Sequence, residues 1–88
     1  MALAAKMVSN AEGEVTPAAT SKVFDRIHCM QDTKFKTLTS ESSFTDDGFA
    51  VANENEGSAT TVPQGWFMEG RWTAIELHSG LIRVYEAF

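Results

Sequence analysis

The chain has 88 residues with 7 basic against 12 acidic side chains, a formal net charge of −5 and a sequence pI near 4.8. At 43% hydrophobic and 10% aromatic it is too apolar and too sparsely charged for a disordered chain, and its length allows one domain. The basic residues fall singly at Lys6, Lys22, Arg26, Lys34, Lys36, Arg71 and Arg83, and no apolar run approaches the about 18–20 residues of a membrane span, so neither nucleic acid nor a membrane is an expected partner.

Residues 1–20 are rich in Ala, Ser and Thr and poor in large apolar side chains. Ala2 to Val8 has the propensity for a helical turn or two, but so short a helix is unstable alone, and Pro17 biases Thr16 toward extended backbone. The segment reads as an extended arm that orders against another surface, leaving residues 21–88 as a single β-domain. Met1 to Lys6 shows no basic segment leading an apolar stretch, so no export signal is expected. Cys29 is the one cysteine, which rules out an internal disulfide and fits a reducing compartment. A chain this short buries only about 60% of its unfolded surface, so self-association or docking on a larger assembly is the expected additional stabiliser.

From Val23 the chain turns to short runs of β-branched and aromatic residues. Val23 to Met30 predicts a strand with Val23, Ile27 and Cys29 on one face and Phe24, Arg26, His28 and Met30 on the other. Lys34 to Thr39 predicts a second, in which Phe35 and Leu38 break strict alternation and call for a bulge or an early end. Ser40 to Gly48 reads as loop, Phe49 to Ala52 as a third strand, and Asn53 to Ser58 as an acidic turn. Pro63-Gln64-Gly65 turns the chain into Trp66 to Arg71, where Gly70 suggests a bend that lets one long strand serve two sheets or a barrel corner. Trp72 to His78 and Leu81 to Glu86 flank Ser79-Gly80 and predict a tight C-terminal hairpin, with Leu77 facing Ile82, Ile75 facing Val84 and Glu76 facing Arg83. The fold class is therefore all-β, a small antiparallel sandwich or barrel.

The chemistry is sparse. His28 and Cys29 are strand neighbours pointing to opposite faces, so they cannot form a catalytic pair, and Cys29 reads as a small core residue. His78 reads as a solvent-facing hairpin residue, and a metal site with His28 would need an approach of two strands that nothing predicts. Asp46-Asp47-Gly48 and Asn53 to Gly57 superficially suggest calcium, but neither has EF-hand spacing. No catalytic residue, metal or cofactor is expected. The concentrated run Trp66, Phe67, Met68, Arg71 and Trp72, with Phe88 at the end, is either core or an interface with another subunit, since interfaces favour these residue types. Through strict alternation Trp66 and Trp72 share a face and Phe67 takes the other. An exposed Trp could also hold a carbohydrate.

The stretch Thr61 to Gly80, with its Pro-x-Gly turn at Pro63 to Gly65, the second glycine Gly70, the Thr73-Ala74-Ile75 strand and the Ser79-Gly80 turn, is similar to the ending of small proteins from the structural-gene modules of tailed bacteriophages. Phe24 to Ile27 and Phe35 to Thr39 resemble their first half, so the likeness runs over roughly residues 23 to 85. It departs from that pattern at Trp66, Trp72 and the tail from Tyr85 to Phe88. The resemblance implies a non-enzymatic virion component, a head decoration or cement protein made in the host cytoplasm. Its expected partners are the major capsid protein or another virion protein and further copies of itself, as dimer or trimer. The alternative is an accessory or receptor-binding module that recognises a host glycan or protein.

Overall fold

The computed structural model of the chain describes residues 4–17, 23–41 and 53–87. Among these residues six strands form one antiparallel sheet: β1 (Ala4–Ser9), β2 (Val23–Cys29), β3 (Thr33–Ser40), β4 (Thr61–Val62), β5 (Phe67–Ser79) and β6 (Leu81–Ala87), in the order β1-β6-β2-β5-β3-β4. The all-β expectation holds. Every strand sends side chains into one cluster, with Val8 from β1, Phe24, Ile27 and Cys29 from β2, Phe35 from β3, Val62 from β4, Met68, Trp72, Ile75 and Leu77 from β5, and Ile82 and Val84 from β6. A single sheet can gather residues from all its strands into one core only by curving round it. The predicted third strand, Phe49 to Ala52, and the Asp46-Asp47-Gly48 loop lie outside the described residues.

Along its length β5 changes neighbours. Its first half pairs with β2 and its second half with β3, and Trp72 faces both Phe24 and Ser40. β5 is thus one long strand shared between two neighbours, but both neighbours belong to the same sheet and not to the two sheets that Gly70 suggests. Bulges set the rest. In β3 the register shifts between Phe35 and Thr37, which turns both Phe35 and Leu38 toward the core, as their spacing requires. Between Phe24 and Arg26 the register shifts on both sides of β2: against β6 Asp25 is an extra residue, while against β5 the extra residue falls on β5 at Gly70 and Arg71, and Phe24 joins Ile27 and Cys29 inside instead of sharing a face with Arg26 and His28.

Two sequence expectations give way here. Ser79 and Gly80 do not close a hairpin: Ile75 and Leu77 lie opposite Leu38 and Phe35 of β3, and Ile82 and Val84 opposite Cys29 and Ile27 of β2. Ser79 still pairs with Lys34, so Gly80 alone links β5 to β6, and one residue with φ +101° makes a corner where a two-residue hairpin loop would need both. Glu76 consequently meets Lys36, at 3.8 Å, and not Arg83. The N-terminal segment is extended, as expected, but it is a strand of this same sheet: β1 pairs with β6 along its whole length and Val8 is fully buried. Beyond it, a capping box of Ser9 and Glu12 closes a short 3-10 turn (Asn10–Glu12), and Val15 exchanges backbone hydrogen bonds of 2.8 and 3.0 Å with Ile75. Described residues on both sides of the expected boundary at residue 20 thus share one core.

Candidate interface on the outer face of the sheet

Alternation along β5 separates the aromatic run. Met68 and Trp72, 1% and 0% exposed, point into the core, while Phe67, Glu69 and Arg71 point out. Met68 and Trp72 are therefore packing residues and not contact candidates. Trp66 precedes the strand, in a turn whose Gly65 has φ +86° and whose Trp66 N–H donates to Pro63 O, which fits a type II geometry. It therefore does not share the inward face of Trp72 that unbroken alternation assigns to it, and it is 40% exposed. Arg71 is held by Glu41 through hydrogen bonds of 2.7 and 3.4 Å. Phe88 lies outside the described residues.

Strand pairing brings to Phe67 a set of side chains that are far from it in sequence. Across the outer face one row runs Met7, Arg83, His28, Phe67, from β1 through β6 and β2 to β5, and the next row runs Ala5, Tyr85, Arg26, Glu69. His28 stacks flat on Phe67, with ring centroids 4.0 Å apart and 9° between planes. Tyr85 lies between two guanidinium groups, with Arg83 and Arg26 at 5.4 and 5.8 Å from its ring centroid. Arg26 also reaches Glu69 at 3.3 Å, a solvent-exposed pair worth little to stability. Met7, Trp66 and Phe67 are the exposed large hydrophobic side chains among the described residues. Sequence reasoning identifies Trp66, Phe67 and Arg71 as contact candidates but misses Met7, Arg26, His28, Arg83 and Tyr85, because each joins the patch only through long-range pairing.

Among the described residues no pocket opens and no group of three or more metal-ligating side chains gathers. The Cys29 thiol is buried, and desolvation pushes its pKa from 9.0 up to about 11, which leaves it protonated and unreactive at neutral pH. A thiol titration of the native protein should therefore give no reaction until denaturant is added. Because the folded state holds this thiol neutral, its contribution to stability is complete below pH 9.0 and is lost as pH rises toward 11. Denaturation midpoints measured across that window should fall, and a Cys29→Ala variant should lack this decline. His78 is not solvent-facing: it is half-buried, with Nε2 donating to Asn53 O at 2.6 Å, which ties the turn at 53–58 to the end of β5.

No protein-family model, curated protein or solved structure matches the chain.

Proposed function

We propose that this protein is a non-enzymatic structural component of a tailed-bacteriophage particle, a decoration or cement-type protein that docks on the capsid through the outer face of β1, β6, β2 and β5. The observation that carries the docking reading is the pair of cross-strand rows described above, because Met, Phe, Tyr and Arg held on a rigid sheet are the residue types from which binding hot spots are built. The phage assignment rests on the resemblance of residues 23 to 85. Many copies on a repeating lattice would make each weak contact count, since avidity multiplies modest single-site affinity. The capsid patch that fits is apolar at its centre with carboxylates around it, placed to receive Arg26 and Arg83.

The test is mass spectrometry of purified particles for copy number, followed by heat challenge of particles made without the protein. Virions that lack the protein and lose no heat resistance on its deletion would sink the reading. A handful of copies per particle, with glycan binding lost on Trp66→Ala, would favour the receptor-binding alternative. Added back to depleted particles, Phe67→Glu and Arg83→Glu should each bind about 30-fold more weakly, the effect of removing one contact worth about 2 kcal/mol. Their circular dichroism should be unchanged, because both side chains point to solvent.

A further inference from the structure

We infer that the open edge of β1 is a strand-addition site for a second copy of this chain, the two β1 strands running antiparallel about a twofold axis. Among the described residues β1 and β4 end the strand order; β4 has 2 residues, whereas β1 has 6 in unbroken register with β6. Edge strands carry unpaired N–H and C=O groups, which proteins ordinarily protect with proline, a bulge or an outward charge. β1 has no proline and no register shift, and its single charge, Lys6, leans over Phe24 with Nζ 5.8 Å from the ring centroid. The Ser9 N–H donates to the Glu12 carboxylate and not to β6, so by alternation the N–H and C=O groups of Met7 and Ala5 also face away from β6.

Charge selects the register. Opposed residues of an antiparallel pair share a face, so a twofold axis normal to the sheet sets one residue against its own copy. Centring on Lys6 opposes two ammonium groups. Centring on Met7 sets Met7 against its own copy, Lys6 against Val8 of the partner subunit and Ala5 against Ser9 of the partner subunit, whose N–H stays with Glu12 so that its C=O alone joins the ladder by accepting from the Ala5 N–H, and it covers a methionine that is 44% exposed in the single chain. The outward groups of Met7 then hydrogen-bond to its copy. The outer rows of the two copies become one continuous face, whatever that face binds.

Sedimentation of the full chain should give a mass of twice 9.6 kDa at high protein concentration. Met7→Cys should cross-link on mild oxidation, because directly opposed residues of a hydrogen-bonded pair stand about 5.5 Å apart between Cα atoms, within disulfide range. Cys29 is buried and should stay silent. Amides of Ala5 and Met7 should gain exchange protection with rising concentration, and Met7→Lys should return the protein to monomer with unchanged circular dichroism. A monomer at millimolar concentration would overturn the inference. So would a dimer in which Met7→Cys does not cross-link and those amides exchange freely, since that dimer forms through another surface. Arg83→Glu should leave the dimer intact while weakening particle docking, so the two proposals fail separately.

Discussion

Trp72→Ala should leave the chain largely unfolded, whereas Trp72→Phe should fold with nearly the original stability. The side chain is fully buried and is among the largest in the core, and it stands where β5 passes from β2 to β3. Truncating a buried Trp costs about 3–5 kcal/mol, comparable to the whole stability of about 5 kcal/mol expected at the low end for a small domain. The contrast with Phe comes from the indole nitrogen. Among the described residues the buried Nε1 has no hydrogen-bond partner, a condition that costs about 1–3 kcal/mol and disappears with the N–H. Phe loses some packed volume and removes that penalty, so the two effects offset. Urea titrations followed by circular dichroism test both variants, and a Phe variant as unstable as the Ala variant would show that ring size alone matters.

Gly80→Ala should destabilise the fold more than the same change at Gly13, Gly57 or Gly65. Gly80 has φ +101°, which side chains rarely adopt, and an added Cβ would lie 2.7 Å from both the Asp32 carbonyl oxygen and Thr33 Cα, apart from its collision with the Thr33 hydroxyl. Two of these obstacles are backbone, and Thr33 is fully buried with its hydroxyl donating to Gln31 O, so the neighbour has nowhere to move. The left-handed conformation costs about 1–2 kcal/mol before any clash, and the displaced corner adds to it. Gly65→Ala provides the control: φ is +86° but no atom lies within 4 Å of an added Cβ, so only the conformational cost applies. Thermal midpoints should therefore rank wild type, Gly65→Ala, Gly80→Ala in descending order, and equal losses at the two glycines would refute the steric account.

What the residues disclosed and what they hid separate along a physical line. Short-range features were legible: strand texture, the Pro63 to Gly65 turn, the Phe35 and Leu38 bulge and the long strand through Gly70 all depend on a few consecutive side chains. The inward set Ile75, Leu77, Ile82 and Val84 was legible too, but their partners were not, because alternation tells which face is buried and says nothing of which strand lies alongside. The Asp25 bulge escaped because it leaves a pattern of apolar residues that also reads as a strand with two mixed faces. β1 escaped because its one core side chain, Val8, sits among alanines and polar residues, although the Ser9 and Glu12 spacing of a capping box was there to be seen. In the candidate interface, Phe67 and Trp66 could be found from sequence. The arginines and Tyr85 could not, since their place beside Phe67 depends on β2 inserting between β5 and β6.

The strand order also governs how the molecule comes into being. In β1-β6-β2-β5-β3-β4 the only described strands that neighbour each other both in strand number and in the sheet are β3 and β4, and their ladder is 2 residue pairs long. Among the described strands the long ladders all join segments distant in sequence, so large loops must close before those ladders are rewarded, a topology associated with folding in milliseconds to seconds and not microseconds. Because β6 lies between β1 and β2, an emerging chain cannot complete its sheet until residues 81–87 have left the ribosome. Until then β2, β3 and β5 lack Ile82 and Val84, the β6 side chains that complete their shared core, and the emerging chain carries its apolar faces exposed to aggregation.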